Sequence, residues 1–294
     1  MAGRAAMLQL LPLSLAETDR VSLLLGGYPE VPARPRERAL WFSSFIQTYL
    51  ERDVRAITRV WDLATFRRFL SLLASRHGQL LNRTDIAAPL GVSVPTVSKW
   101  LQVLEITGQI ILVPPFYENF GKRLVKSPEI YLADSGLACH LLGIATQAEL
   151  ERSPFLGPIL EGFLAAEIIK RQANQGRRRE LYHFRDQQDL EVDFLFPTEA
   201  GGLWAVECKA SRTVQPPMAK PLESLRRAMG QDRAFRFSVV HRASAIAPPM
   251  RALAPAIEAV TVEAFVRALG GRDPRGSETV AGVEPEQRVN GTGK

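Results

Sequence analysis

The sequence predicts a mixed α/β protein of the α+β class, with a helical first half and a second half of alternating helices and strands. Apolar residues recur at helical spacing through most of the first half. Two short segments with helix-capping residues flank a glycine near residue 91. After residue 155 the pattern becomes helix, three strands, helix and strand. The chain has 294 residues, enough for two domains of about 100–200 residues each.

The first 80 residues predict helices separated by a proline-rich linker. An apolar, helix-like run within residues 1–30 ends at Gly26 and Gly27, and prolines follow. Two amphipathic helices come next, and the second stops at Gly78. Their apolar faces carry Phe42, Phe45 and Ile46 in the first helix and Phe66, Phe69, Leu70 and Leu73 in the second.

A helix-turn-helix pattern follows. Asn82 can cap a helix, with Asp85 three residues later, and that helix ends at Gly91. Ser93 can cap a second helix, whose buried face would hold Val97, Leu101 and Leu104. Two short helices joined by a three-residue turn containing glycine are typical of helix-turn-helix domains. The strand "QIILVPPF", a basic tip and the return strand "LVKSPEIYLAD" complete a winged arrangement, and a short helix capped by Asp134 or Ser135 follows.

The second half has a different pattern. Residues 145–157 are predicted to be a linker, and "GPILEGFLAAEIIKRQANQG" an amphipathic helix. "ELYHFR", "LEVDFLF" and "LWAVECKA" are predicted strands, followed by the helix "MAKPLESLRRAMG" and the strand "AFRFSVVHRA". A short strand and helix end the domain near residue 270. The remainder, 271–294, is polar and aperiodic, so we expect a disordered tail.

Composition limits the class of protein. Lys and Arg number 37 against 31 Asp and Glu, so the net charge is +6, which permits contact with nucleic acid. Two cysteines are too few for a disulfide scaffold and favour a reducing, cytoplasmic location. No apolar run reaches the roughly 20 residues of a membrane span, so no membrane partner is expected. A signal peptide is a minor alternative for the first 19 residues.

The stretch "EVDFLFPTEAGGLWAVECKA" carries acids inside two predicted strands. Because side chains alternate along a strand, Glu191, Asp193 and Leu195 are expected on one face, opposite Val192, Phe194 and Phe196. Glu207 and Lys209 likewise share one face. If the strands pair through the Pro197–Gly202 turn, Asp193 lies near Glu207 or Lys209.

Such a patch suits phosphodiester hydrolysis. Mg²⁺ prefers oxygen ligands and is the cofactor that Asp193 and Glu207 could hold. Lys209 could orient water or offset developing charge, and Glu161 on the preceding helix could add a third acid. The predicted catalytic residues are therefore Glu161, Asp193, Glu207 and Lys209. The alternative is an ordinary hairpin whose wet face carries charged pairs worth about 0.2–1 kcal/mol each.

A second set of candidates concerns nucleic acid. On the second helix of the helix-turn-helix, Thr96, Ser98, Lys99 and Gln102 could face a major groove. Lys122 and Arg123 at the tip of the wing could contact phosphate. Only one residue of the helix set is a cation, so a winged helix that packs against protein remains the alternative, as does a solvated turn for the tip.

No phosphate-binding loop of the form G-x-x-x-x-G-K-[ST] occurs, so ATP is not expected to bind. Yet the chain resembles a large prokaryotic family of AAA-type ATP-binding proteins over roughly residues 3–245. The resemblance is carried by "GRAAMLQLLPLSLAE", "GGYPEV", "WFSSFIQTYLERDV", "FRRFLSLLASRHGQLLN", "LGVSVPTVSKWLQVLE", "GKRLVKSPEIYLADSGLACHLLG" and "EVDFLF…LWAVECKAS". Members have an N-terminal P-loop ATPase domain and a C-terminal domain of unknown function.

The resemblance implies four regions. Residues 1–35 would be the end of an ATPase domain and a linker, with exposed apolar side chains where the ATPase core should dock. Residues 36–145 would be the winged helix-turn-helix domain, 155–270 a PD-(D/E)xK nuclease-like domain, and 271–294 the tail. The family's pattern falls on Glu161, Asp193, Glu207 and Lys209.

Three functional hypotheses follow from these regions. The first is a C-terminal module that engages DNA, a protein partner or the missing ATPase domain. The second is an active Mg²⁺-dependent endonuclease, and the third is a non-catalytic DNA-binding regulator that uses only the winged helix.

Overall fold

The structure is a computed structural model that describes residues 9–50, 52, 63–116, 126–186, 190–199, 201–229, 235–243, 248 and 250–270. Within these residues, helices combine with a three-stranded sheet and a six-stranded sheet, so the mixed α/β class is confirmed. The expected disordered tail, 271–294, and the wing-tip residues Lys122 and Arg123 lie outside the described residues. No helix in the described part of the chain is long and apolar enough to cross a membrane.

The first half contains six α-helices and the smaller sheet within the described residues. The helices are α1 (Glu30–Ala33), α2 (Arg38–Phe45), α3 (Leu63–Ser75), α4 (Arg83–Leu90), α5 (Val94–Ile106) and α6 (Ser135–Leu141). A π-helical turn, Ile46–Leu50, continues α2. The strands are β1 (Gln79–Leu80), β2 (Ile110–Val113) and β3 (Glu129–Leu132), with β3 antiparallel to both neighbours.

The capping residues define α4, α5 and α6 as predicted. The Asn82 side chain accepts hydrogen bonds from the backbone N–H groups of Thr84 and Asp85, and Gly91 ends α4 at φ +66°. Ser93 caps α5, and Asp134 caps α6. The apolar faces of the helices meet in one core, which includes Phe42, Phe66, Phe69, Leu70, Val97, Trp100, Leu101 and Leu104.

The N-terminal segment differs from the prediction. Residues 9–27 form turns rather than a helix, and an isolated bridge joins Ser22 to Gly26. The proline-rich segment contains α1, which was not predicted. The segment packs on its own chain: Val21 is buried, and Leu13 and Leu15 lie against the core of the second half. An exposed apolar surface is therefore wrong for most of the described N-terminal residues, since only Leu10 is a large, exposed apolar side chain there.

Buried polar groups hold this segment in place because its backbone has no regular partner strand. Lys170 donates a hydrogen bond to the carbonyl of Leu13 and pairs with Glu167 at 3.0 Å. Glu167 accepts from the N–H of Leu15. Asp134 accepts from the N–H of Gly27, so one carboxylate both caps α6 and binds the segment.

The second half contains four α-helices and the larger sheet within the described residues. The helices are α7 (Gln147–Arg152), α8 (Leu156–Asn174), α9 (Lys220–Met229) and α10 (Val262–Leu269). The strands are β4 (Tyr182–Arg185), β5 (Glu191–Pro197), β6 (Leu203–Lys209), β7 (Phe235–His241), β8 (Met250–Ala254) and β9 (Ile257–Thr261). The strand order is β4-β5-β6-β7-β9-β8, with β7 parallel to β6 and β9 and the other pairs antiparallel.

Two predictions about helices need correction. The expected linker at 145–157 contains α7, closed by a capping box between Thr146 and Glu149, with Leu150 fully buried. Helix α8 forms where an amphipathic helix was predicted, but it is buried on more than one face, because most of its residues from Ile159 to Gln172 are buried. It is covered by the sheet on one side and by the first half and α10 elsewhere.

The six-stranded sheet is covered on both faces. Phe194, Val206 and Phe265 belong to the core on the α8 side, whereas Leu195, Ala205 and Leu222 belong to the core on the α9 side. Every residue of β6 except Lys209 is therefore buried. The alternative of a wet hairpin face is wrong for this strand.

The predicted alternation along β5 is also wrong, because the β4–β5 ladder shifts register. Tyr182 lies opposite Leu195, but Phe184 lies opposite Val192, so β5 carries one extra residue at Asp193–Phe194. Val192 consequently joins Leu195 in the α9-side core, while Phe194 and Phe196 lie in the α8-side core. Bulges of this kind redirect side chains and are common near functional sites.

Candidate functional site

Glu207 and Lys209 form an ion pair at the end of β6. The Lys209 ammonium donates to Glu207 Oε1 at 2.6 Å, and the Glu207 side chain is 7% exposed against 33% for Lys209. Glu207 Oε2 is buried and has no hydrogen-bond partner in the described structure. Burial raises the pKa of Glu207 to about 8, and the charge of Asp193 adds to this while Lys209 opposes it.

Asp193 reaches the same end of β6 from the bulge in β5. Its Oδ2 accepts a hydrogen bond of 2.6 Å from the backbone N–H of Cys208, the residue between Glu207 and Lys209. Burial raises the pKa of Asp193 to about 6 even though this hydrogen bond and Lys209 lower it. The bulge therefore brings Asp193 beside the Glu207–Lys209 pair. The sequence prediction had relied on regular pairing of the two strands for this approach.

Glu161 enters the site from α8. Its pKa is raised well above the usual range by burial and then by the charges of Asp193, Glu129 and Glu207. Gly78 lies beside it with φ +74°, and a side chain there would come within 3.2 Å of Glu161 Oε2. All four residues predicted from the sequence are thus electrostatically connected.

A fifth member, Glu129, was not predicted. It lies on β3 of the smaller sheet, is buried, and accepts a 2.9 Å hydrogen bond from the Tyr131 hydroxyl. Its other oxygen is 3.8 Å from Nδ1 of His183. Burial raises the pKa of Glu129 to about 8, and Asp193 contributes to this. The only sequence signal was an acid inside the apolar strand "EIYL".

The site gathers four carboxyl groups, from Glu129, Glu161, Asp193 and Glu207, and the ammonium of Lys209. Burial raises the pKa of each carboxyl, so burial favours their neutral form. A divalent cation would favour the ionised form of the carboxyls beside it, and Glu207 Oε2, which has no hydrogen-bond partner in the described structure, is available as an oxygen ligand. The residues fit Mg²⁺ held by one or two carboxylates and water. They do not fit a cage of side chains, because the described residues contain no group of three His, Cys, Asp or Glu that could hold a metal.

The predicted nucleic-acid residues of α5 form a separate group. The Thr96 hydroxyl hydrogen-bonds Ser93, and the Ser98 hydroxyl donates to the carbonyl of Val94, so both are engaged within the helix. Lys99 and Gln102 are exposed. The same helix also exposes Glu105 and Ile106, the latter to 68%. This surface is mixed in charge and partly apolar, unlike a typical phosphate-binding face.

Two family models match separate parts of the chain, and the boundary between them falls where the sequence pattern changes. A domain of unknown function (DUF8612) matches residues 20–148, and a second, DUF4143, matches residues 156–251. Uncharacterized proteins of Mycobacterium bovis and Mycobacterium tuberculosis are each 34% identical over 230 residues, which is 76% of this chain. The match covers 51% of each relative, so the chain spans about half their length. No solved structure matches the chain.

Proposed function

We propose that this chain is the C-terminal module of an AAA-type ATP-binding protein and that its second half hydrolyses phosphodiesters with Mg²⁺. The match to DUF4143, a domain typically associated with the C-terminal regions of AAA-type ATPases, supports the first part. The single observation that carries the second part is the convergence of Asp193, Glu207 and Lys209 at one strand end. The winged helix-turn-helix and PD-(D/E)xK architectures are part of this proposal.

Each side chain has a role in the proposed reaction. Asp193 and Glu207 would hold Mg²⁺, which lowers the pKa of a bound water and offsets phosphate charge. Lys209 is positioned by Glu207 Oε1, so its ammonium can hold the attacking water and balance the charge that develops on the phosphate. Glu161 would add a third carboxyl group beside Asp193 and Glu207, and burial favours its protonated form until a cation binds. Water adds to phosphorus and gives up one proton, one ester P–O bond breaks, and the leaving oxygen takes up one proton, so that the net reaction consumes one water.

A cleavage assay tests the proposal. We expect the protein to nick plasmid or single-stranded DNA with Mg²⁺ or Mn²⁺, and Asp193→Asn or Lys209→Met to reduce the rate by at least about 100-fold. Glu199→Gln and Lys220→Met are matched controls in which the altered residue lies outside the site, and they should cleave at the wild-type rate. Absence of cleavage under every condition, or equal rates in the site variants, would contradict hydrolysis.

The surface of α5 favours a non-catalytic alternative in which the first half of the chain binds a protein partner. Because α5 exposes the acid Glu105 and the apolar Ile106 as well as Lys99, the helix suits a protein partner better than the bases of a major groove. If the protein does not cleave DNA under any condition, binding of a protein partner through α5 becomes the better proposal for the function of the chain.

A further inference from the structure

A cluster of two arginines and one glutamate lies just beyond the acidic site. Arg212 follows Lys209 by three residues, a chain distance of at most about 11 Å. Arg242 follows His241, which is paired with Lys209 in the parallel β6–β7 register. The Arg242 guanidinium also donates to the carbonyl of Ala210 at 3.4 Å. Both arginines are therefore placed next to the end of β6 that carries the site.

Glu151 of α7 occupies the space between the two guanidinium groups. Its Oε1 accepts hydrogen bonds from Arg212 at 3.2 Å, from Arg242, and from Gln147 at 2.9 Å. The Glu151 side chain is 31% exposed and Arg212 is 61% exposed, so solvent and ligands can reach the cluster. One carboxylate meets two guanidinium groups, which leaves a net positive charge.

We propose that Arg212 and Arg242 form a binding site for a phosphate of the nucleic-acid backbone, and that Glu151 occupies this site until the nucleic acid displaces it. Two guanidinium groups on one oxygen anion match phosphate as well as carboxylate. The Cα atoms of Arg212 and Lys209 are at most about 11 Å apart. The pair would then hold a phosphate close to the one that is cleaved. The inference takes its substrate class from the proposed function.

A purely structural role makes a different prediction. If the cluster only tethers α7 to the sheet, removing Glu151 or Arg212 weakens the fold and leaves the affinity for DNA unchanged. If Glu151 competes with phosphate, Glu151→Gln strengthens DNA binding while Arg212→Gln weakens it. The opposite signs separate the two roles, because a cluster that only tethers α7 does not contact the DNA.

The experiment measures binding rather than cleavage. A fluorescently labelled DNA duplex is titrated with each protein by anisotropy, with Ca²⁺ in place of Mg²⁺ and at several KCl concentrations. We expect Arg212→Gln to weaken binding about tenfold and to lower the slope of log affinity against log salt by about 1. Glu151→Gln should tighten binding several-fold. Arg171→Gln and Glu199→Gln change another ion pair, 3.6 Å apart and separate from this cluster, and serve as controls.

The experiment tests the phosphate site and the proposed hydrolysis separately. Wild-type affinity and salt slope in Arg212→Gln, no gain of affinity in Glu151→Gln, or no binding of DNA by the wild type would each overturn the phosphate site. Binding with the expected changes but without cleavage in Mg²⁺ or Mn²⁺ would support the phosphate site and contradict hydrolysis. Arg242 is more buried than Arg212, so the test does not depend on replacing it.

Discussion

At the residue scale, the site depends on carboxyl groups that are buried next to one another. Glu129 shows the consequence most directly, since it contacts Tyr131 and His183 and, among the described contacts, forms no ion pair with a lysine or arginine. The charge of Arg185 lowers its pKa, but burial outweighs that effect. Its charged form is disfavoured by burial first and by Asp193 next. The folded protein therefore holds a proton on Glu129 over a pH range in which the unfolded chain releases it.

This difference predicts how stability depends on pH in the absence of metal. The pKa of Glu129 is about 8 in the folded state and about 4.3 unfolded, so the folded form binds more protons between these values and stability falls as pH rises. His77 and His183, whose pKa values burial lowers to about 4, act in the opposite direction only up to about pH 6.5. We expect the free energy of unfolding to fall between about pH 6.5 and 8.5.

Urea denaturation in EDTA at several pH values measures this slope. Glu129→Gln should make the slope of stability against pH shallower, because the amide cannot ionise. The slope that remains comes from Glu207, whose pKa is also raised. Glu105→Gln, at an exposed position on α5, should leave the slope as in the wild type. An identical slope in Glu129→Gln and wild type would show that Glu129 does not carry the proton.

At the element scale, helix α8 positions the site through a close approach to the turn after α3. Gly162 faces His77, and a Cβ at residue 162 would lie 2.1 Å from His77 Nε2. The ring cannot move away easily, because its Nδ1 accepts a hydrogen bond from the N–H of Leu132 at 3.0 Å. This contact brings α8, and with it Glu161, against β3, which carries Glu129.

Gly162→Ala should therefore destabilise the protein although alanine is the better helix former. The overpacking costs about 1–3 kcal/mol, which exceeds the gain of about 0.5–1 kcal/mol from replacing a helical glycine. Gly157→Ala is the matched control on the same helix, because nothing lies within 4 Å of its added Cβ, and it should be neutral or stabilising. Equal midpoints of chemical denaturation for the two variants would contradict the close packing.

The elements also show what the sequence could predict. Asn82, Ser93 and Asp134 each cap the predicted helix, because capping needs only local residues. The bulge at Asp193 could not be predicted, since it depends on how β4 pairs with β5. Glu129 was missed for the same reason: it reaches the acidic residues of the larger sheet through tertiary packing. The helix α7 was hidden by its short length, although its Thr146–Glu149 capping box was a usable signal.

At the scale of the whole molecule, the two halves share a core. Ile111, Val113 and Tyr131 of the smaller sheet pack in one cluster with Leu160 of α8 and Val206 of β6. Backbone hydrogen bonds also join the sheets, from the N–H of Phe116 to the carbonyl of His183 and from the N–H of His183 to the carbonyl of Pro114. The predicted boundary between residues 145 and 155 therefore separates two sequence patterns that are packed together in the fold.

We expect the halves to unfold as one cooperative unit. Leu104→Ala in the core of the first half and Leu222→Ala in the α9-side core of the second each remove a fully buried side chain, at a cost of about 2–5 kcal/mol. If the shared core couples the halves, scanning calorimetry gives one transition for the wild type, and each substitution lowers the temperature of that whole transition. Independent halves would instead give two transitions, with Leu104→Ala moving only one and Leu222→Ala only the other. Two such transitions would show that the shared core does not couple the halves. Glu129 would then lose its position beside the acidic residues of the larger sheet as soon as either half unfolds.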